Sequence, residues 1–140
     1  MNSYPSRAPT LAQQAFRLRG AQPGSSVRFV EGGNRMVWHG RLQPTAASKT
    51  YLTRIICSRQ RPTPRVFVMS PKLTRRNCEP IPHCYNDGSL CLWQPAYREW
   101  QPAYWIVDTV LGWASLWLLF YELWHASGEW LGGGEHPVPS

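Results

Sequence analysis

The segment with the most reactive side chains runs from Ile81 to Trp93 and holds two of the four cysteines and one of the four histidines. Asn86-Asp87-Gly88, in its middle, predicts a tight turn, because glycine adopts the positive φ that other residues resist. Cys91 follows the turn between two leucines, which would hold its thiol at a fixed position at the surface. We expect Cys91 to be a nucleophile. The alternative is that it is a small buried apolar residue.

A zinc site is a second use of these side chains. The spacing does not favour it, since five residues separate Cys78 from Cys84 and six separate Cys84 from Cys91, with no Cys-x-x-Cys pair. We therefore predict no metal and no cofactor. The full set of soft ligands is Cys57, Cys78, Cys84, Cys91, His83 and His136.

A cysteine protease is a third possibility, with Cys91 as the nucleophile and His83, His125 or His136 as the base. Such enzymes usually place the nucleophile at the start of a helix, where the helix dipole lowers the thiol pKa. Pro95 argues against a helix that begins at Cys91. The protease interpretation is therefore not favoured.

The length of 140 residues predicts one domain, and the 8 Trp, 6 Tyr and 4 Phe predict a bulky core. Residues 1–10 contain no apolar stretch of the kind found in secretory signals. We therefore expect a cytoplasmic protein whose cysteines are thiols and not disulfides.

The charge is divided unevenly along the chain. Residues 1–76 hold 14 of the 15 Lys and Arg and a single acid, Glu31, for a net +13, whereas residues 77–140 hold Arg98 and seven acids, for a net −6. A basic half can attract an acidic protein or a nucleic acid. The arginines are spread out and no nucleic-acid motif is present, so we expect solvated strand and loop faces and do not favour nucleic-acid binding.

The elements that must position Cys91 begin with a short amphipathic helix over Leu11 to Leu18, with Thr10 as N-cap and Gly20 as its stop. Four extended segments separated by turn residues follow, and they predict an antiparallel meander. They are Val27 to Val30, Met36 to Leu42, Tyr51 to Cys57 and Val66 to Met69.

A strongly apolar segment from Tyr104 to His125 predicts the second helix, with Pro102 at its first position and Ser127-Gly128 as its end. Asp108 and Glu122 leave 13 uncharged residues between them, whereas a membrane span needs about 20, so we expect a core helix. The predicted fold is α+β, with a sheet backed by helices.

This order of elements, together with the motif around Cys91, resembles the ubiquitin-conjugating enzyme (UBC-like) family. In that family a His-Pro-Asn triplet precedes Gly-x-(Ile/Leu)-Cys-Leu, and the cysteine comes eight residues after the Asn. Here Ile81-Pro82-His83 precedes Gly88-Ser89-Leu90-Cys91-Leu92 at the same spacing. The resemblance implies a flexible arm over 1–9, a UBC-like domain over 10–130 and a Gly-rich tail over 131–140. Supporting similarities are Tyr51 to Ile56, Arg61 to Val66 and Glu99 to Pro102.

Two positions depart from the family motif. His83 replaces the Asn that is expected to stabilise the thioester oxyanion, although an imidazole can donate that hydrogen bond or act as a base. Ile81 replaces the histidine that helps to shape the loop. These departures, the single long helix after the site and the Gly-rich ending resemble bacterial members found in anti-phage operons. Those operons include the cyclic-oligonucleotide-based signalling systems (CBASS), in which a UBC-like protein acts on the C-terminal glycine of a nucleotidyltransferase.

The resemblance implies an acyltransferase that carries the C-terminal glycine of a partner protein as a thioester on Cys91 and passes it to an amine. The partner would be a cyclic-nucleotide synthase of the nucleotidyltransferase family or a ubiquitin-like protein, with or without an activating enzyme. His83 would be the oxyanion donor or base. A non-catalytic UBC-like binding module is the alternative, and a basic nucleic-acid binder is a third hypothesis.

Further residues receive roles from the same resemblance. Tyr85, Asn86 and Asp87 would line the approach to Cys91, where an acid could orient or deprotonate an amine, and His136 would reach the site from the tail. Arg17 and Arg19, on the first helix, would form the docking face for an upstream partner.

Overall fold

In a computed structural model that describes residues 8–92 and 100–132, the chain forms two helices and a four-stranded antiparallel sheet in the order β1-β2-β3-β4. A single 3-10 turn, Glu31–Gly33, joins the first two strands. The predicted α+β meander is confirmed. The elements are α1 (Leu11–Ala21), β1 (Ser26–Val30), β2 (Arg35–Leu42), β3 (Tyr51–Ser58), β4 (Arg65–Ser70) and α2 (Val110–Ser127).

The start of α1 is capped as predicted. The Thr10 hydroxyl accepts a hydrogen bond from the Gln13 N–H at 3.1 Å, and the Gln13 side chain accepts one from the Thr10 N–H at 2.8 Å, which is a capping box. The predicted stop at Gly20 is wrong, because the Gln22 N–H still bonds to the Leu18 carbonyl and the helix continues to residue 21.

The second helix begins later than the apolar pattern suggested. It starts at Val110, so the predicted start at Tyr104, with Pro102 in the first turn, is wrong. The physical reason lies in α1, where the buried Gln14 donates from Nε2 to the Tyr104 carbonyl at 3.0 Å and accepts at Oε1 from the Ile106 N–H at 2.9 Å. These bonds hold residues 101–109 in a series of turns.

The end of α2 agrees with the prediction, since Gly128 caps the helix in the left-handed conformation with φ of 85°. Neither helix in the described ranges combines the length and the apolar character needed to cross a bilayer. The predicted arm over 1–9 and tail over 131–140 fall mostly on residues 1–7 and 133–140, outside the described part of the chain.

One face of the sheet and one side of α2 form a single hydrophobic core. In β3 the residues Tyr51, Thr53, Ile55 and Cys57 are buried while those between them are only half-buried, as expected when alternate side chains point to opposite faces. The sheet thus has a core face and an open face. Core residues on the sheet and α2 include Met36, Trp38, Ile55, Val66, Ala114, Trp117, Leu118 and Tyr121.

Candidate active site around Cys91

Cys91 lies on the second arm of a small hairpin. Its N–H donates to the His83 carbonyl at 2.9 Å, and the Tyr85 N–H donates to the Ser89 carbonyl at 2.8 Å. The turn is closed by the Gly88 N–H, which donates to the Tyr85 carbonyl at 2.9 Å, and Gly88 has φ of 90°. A turn followed by a left-handed glycine is a common way to close a hairpin, and it confirms the turn predicted here.

Asp87 stabilises this turn from within. Its Oδ1 accepts a hydrogen bond from the Ser89 N–H at 2.8 Å and another from the Ser89 hydroxyl, and its Oδ2 lies 3.7 Å from a guanidinium nitrogen of Arg65. Partial burial alone would raise the pKa of Asp87, but the hydrogen bonds from Ser89 and the charge of Arg65 outweigh it and lower the pKa. The carboxylate is therefore ionised at neutral pH and engaged with its own turn.

Two hydrogen bonds attach the hairpin to the rest of the fold. The Leu90 N–H donates to the Val66 carbonyl of β4 at 2.9 Å. On the other arm, the Trp117 indole N–H from α2 donates to the His83 carbonyl at 2.9 Å. The position of Cys91 is thus determined by both the sheet and the second helix.

The thiol is less accessible than the sequence suggested. Cys91 is 8% exposed, so its expected place at the surface is wrong. Its neighbour is Tyr85, which is 37% exposed and shares a side-chain hydrogen bond with Cys91. Burial, this hydrogen bond, and the negative charges of Cys91 and Asp87 all raise the pKa of Tyr85, so its hydroxyl keeps its proton. A neutral phenol of this kind can donate to a thiolate and stabilise it.

His83 has an unusual backbone. Its φ is 51°, in the left-handed region where Asn, Asp and His are enriched among residues other than glycine. The side chain is 7% exposed, and its ring centroid lies 5.1 Å from that of Trp130. Trp130 in turn packs against Trp117 at 5.3 Å. The imidazole is therefore buried and packed against Trp130, while the His83 carbonyl accepts from Cys91 across the hairpin.

The other cysteines differ from Cys91 in their surroundings. Cys84 is half-buried, with its Sγ 3.6 Å from the Gly88 carbonyl oxygen. Burial, with smaller effects from the charges of Asp87 and Cys91, raises the pKa of Cys84 to about 11. Burial in the core likewise raises the pKa of Cys57 to about 12. Both stay protonated at neutral pH, which makes them poor nucleophiles.

The residues predicted to dock a partner lie on α1. The Arg17 guanidinium is 3.1 Å from both carboxylate oxygens of Asp108 and lies 4.5 Å from the Trp105 ring centroid. Arg19 lines an open groove of about 560 Å³ beside Phe16, which is 80% exposed. Arg17 is thus engaged within the chain, and Arg19 is the exposed charge of this surface.

Two further residues were predicted to lie near the site, Asn86 and His136. Asn86 is exposed at the tip of the turn, and His136 lies outside the described residues. Among residues 8–92 and 100–132, no group of three or more His, Cys, Asp or Glu is arranged to hold a metal ion. All four cysteines are free thiols.

Sequence reasoning missed two residues that hold the loop. Trp117 supplies the bond to the His83 carbonyl from 34 positions away, and only its place in an apolar helix was visible. Arg65 reaches Asp87 from the start of β4, and no pattern in the sequence linked the two.

Residues 14–137 match the model of a family described as Type II CBASS E2 protein. The matched range includes the hairpin, all four strands, α2 and the part of α1 from residue 14 onward. A comparison with curated proteins found no match.

Proposed function

We propose that this chain, which belongs to the type II CBASS E2 family, carries the C-terminal glycine acyl group of a partner protein as a thioester on Cys91 and passes it to an amine. Proteins of this family belong to bacterial antiviral signalling systems. The observation that carries the proposal is the Cys91 thiol held next to a protonated Tyr85 hydroxyl on a hairpin tied to β4 and α2.

In the first step the Cys91 thiolate attacks the carbonyl carbon of the activated glycine, and the activating group leaves with the electron pair. The proton of the thiol must leave before the attack. The Tyr85 hydroxyl, which keeps its proton, would donate a hydrogen bond to the thiolate.

In the second step an amine attacks the thioester carbonyl, the carbon–sulfur bond breaks, and the thiolate returns to its hydrogen bond with Tyr85. The amine loses one proton as the amide forms. His83 is the proposed oxyanion donor or base for this step, and Asp87 and Asn86 are proposed to line the amine's path. Because the His83 ring is packed against Trp130, this role requires that the ring turn away from it.

The size of the site supports glycine as the transferred residue. Cys91 is 8% exposed and is hydrogen-bonded to Tyr85, so little of the thiol is open to the incoming acyl group. A C-terminal glycine has no side chain and tolerates unusual backbone angles, which suits such an approach. A nucleotidyltransferase or a ubiquitin-like protein with a C-terminal glycine is the proposed donor.

The test uses the protein and a candidate donor on gels with and without reductant, adding an activating enzyme in a parallel series. We expect an adduct that reductant removes and that Cys91→Ala abolishes, while the matched control Cys84→Ala retains it. Cys91→Ser should give an oxygen ester that resists reductant. Loss of the adduct in both alanine variants, or no adduct with any donor of either kind, would refute the proposal.

The contribution of Tyr85 is measured separately. Hydrogen bonds to charged groups contribute about 1.5–3 kcal/mol, so Tyr85→Phe should slow thioester formation by about tenfold or more. Tyr104→Phe, a half-buried phenol outside the hairpin, is the control. An unchanged rate in Tyr85→Phe would remove this residue from the mechanism.

A second candidate function is a UBC-like binding module without catalysis. The low exposure of Cys91 and the enclosed ring of His83 are the observations that favour it. It predicts that Cys91→Ala retains partner binding, measured by calorimetry, and has no effect on signalling.

The catalytic proposal makes a separate prediction for His83. The His83→Ala variant should still form the thioester but fail to transfer the acyl group.

A further inference from the structure

The open face of the sheet collects arginines that are spread along the sequence. Directly paired residues of neighbouring strands point to the same face, and in β3 the core side is occupied by Tyr51, Thr53, Ile55 and Cys57. The pairing therefore places the residues that alternate with these, together with their partners on the neighbouring strands, on the opposite, open face. Its charged members are Arg28, Arg35, Arg41, Arg54 and Arg65.

Three of these arginines form a diagonal line across the sheet. Arg41 of β2 is paired with Leu52, two residues before Arg54 of β3, and Arg65 of β4 is paired with Ile56, two residues after Arg54. With strands about 4.8 Å apart and about 3.4 Å per residue, successive Cα atoms of this line are separated by about 8 Å. We call Arg41, Arg54 and Arg65 the arginine diagonal.

The charge of this face is only partly balanced by nearby acids. The four strands, all within the described part of the chain, contain no Asp or Glu. Arg35 is 3.5 Å from Glu31 and Arg65 is 3.7 Å from Asp87, but these pairs are exposed and long, so each contributes little. With five arginines and two paired acids, the face keeps a net positive charge that an anionic partner could use.

The environment of His39 is consistent with a positive electrostatic potential on the open face. It lies on the open face, paired with Arg54, whose Nε donates to its Nε2 at 2.9 Å. Burial and the charges of Arg54 and Arg28 lower the pKa of His39. The imidazole therefore stays neutral among guanidinium groups, as expected where positive charges are concentrated.

An aromatic ring lies at one end of the diagonal. Phe67 is paired with Arg54 and is half-buried, and the Arg65 guanidinium carbon lies 5.8 Å from its ring centroid. Arginines that follow a phosphate backbone, with an aromatic ring on which a base stacks, are the combination that binds single-stranded nucleic acid. An acidic protein surface would match the charge but would make no use of the ring.

We propose that the open face of the sheet binds single-stranded nucleic acid, with the arginine diagonal on successive phosphates and Phe67 against a base. The nucleic acid contacts the sheet face and not the thiol. Arg65 also contacts the Cys91 hairpin, through Asp87. Alternate side chains of a strand share a face, and this is why arginines that are well separated in the sequence lie together here.

The first experiment measures binding of the full chain to a fluorescein-labelled 20-nucleotide oligothymidine by anisotropy. Three phosphate contacts give a slope of log affinity against log salt near −2, so affinity should fall about 20-fold between 50 and 200 mM salt. Arg41→Gln with Arg54→Gln should lower the affinity at 50 mM salt at least tenfold and reduce the slope to about −0.7. The control, Lys72→Gln with Arg75→Gln, removes the same charge from exposed positions off the sheet and should change affinity less than threefold.

No binding at 50 mM salt, or equal losses in the two double variants, would overturn the proposal. Thermal unfolding by circular dichroism checks that both variants fold. If the Gln variants unfold, the proposal is tested by the salt dependence of wild-type binding and by the next two measurements.

Two further measurements identify the occupant. Phe67→Leu should abolish the preference of the protein for oligothymidine over a duplex of the same length. In NMR titrations, His39 should titrate at higher pH in the presence of the oligonucleotide, because the oligonucleotide neutralises Arg28 and Arg54. Polyglutamate serves as the competitor that represents an acidic protein. If polyglutamate displaces the oligonucleotide at equal charge concentration, or if His39 is unaffected, the open face is not a nucleic-acid site.

Discussion

Replacing Gly88 with alanine tests the hairpin that positions Cys91. Gly88 has φ of 90°, and a Cβ built on it meets nothing within 4 Å. The cost of Gly88→Ala is therefore backbone strain alone, about 1–2 kcal/mol for an L residue in the left-handed region. Gly24 is a matched control, since its Cβ would also meet open space and its φ lies outside that region.

Alanine at position 24 should be neutral or stabilising by up to about 1 kcal/mol, because it reduces the entropy of the unfolded chain. The two alanine variants should thus differ by about 2 kcal/mol in urea unfolding followed by tryptophan fluorescence. Gly88→Asn should cost less than Gly88→Ala, as Asn tolerates this conformation. Since a strained turn loosens the hairpin, the alkylation of Cys91 by iodoacetamide should also become faster in Gly88→Ala. Equal stability of Gly88→Ala and Gly24→Ala would refute the described turn.

Three other predictions follow from the environments of titratable groups. With a pKa of about 11, Cys84 is about one part in a thousand thiolate at pH 8, so mass spectrometry should find it alkylated far more slowly than the exposed Cys78. Burial would raise the pKa of Asp87, but the hydrogen bonds from Ser89 and the charge of Arg65 outweigh burial and lower it. The ionised Asp87 therefore stabilises the fold above about pH 4, the pKa of Asp in the unfolded chain. This stabilisation is lost as the pH falls through the pKa of Asp87 in the folded protein. Asp87→Asn should therefore lower the urea midpoint at pH 6, and the difference from the wild-type protein should shrink as the pH is lowered below about 4. Glu122 accepts hydrogen bonds from two hydroxyls at 2.7 Å, so Glu122→Ala should cost about 2 kcal/mol in urea unfolding, against near zero for the exposed control Glu129→Ala.

The sheet was predictable from sequence because its strands carry a local signal. In β3 every second residue from Tyr51 is buried, and the strand extends only one residue beyond the predicted end. The start of α2 was not predictable in the same way. It depends on Gln14, about ninety residues earlier, whose amide bonds to the backbone at Tyr104 and Ile106 and keeps that apolar segment out of the helix. Apolar periodicity shows which segment is buried but not which distant side chain competes for its backbone groups.

The same distinction between local and distant contacts applies to the candidate site. Cys91 and the turn at Gly88 were visible because both depend on neighbours within a few residues. The burial of the thiol and its hydrogen bond with Tyr85 were not visible, since each depends on the path that the loop takes across β4 and α2. The family resemblance supplied the proposed role of the cysteine. The burial that raises the pKa of Cys84 was visible only in the folded chain.

The substitution of His83 for the family's asparagine affects two properties that the fold separates. At φ of 51° the backbone needs a residue that tolerates the left-handed region, and histidine, like asparagine, is one of these. The carbonyl of His83 can therefore still accept hydrogen bonds from Cys91 and Trp117, which fix the nucleophile regardless of the side chain. What changes is the group available to an oxyanion or amine, now an imidazole packed on Trp130. In the proposed mechanism, thioester formation would depend on the backbone of the hairpin and on Tyr85, whereas transfer would depend on the ring of His83. Loss of the second step would then not impair the first.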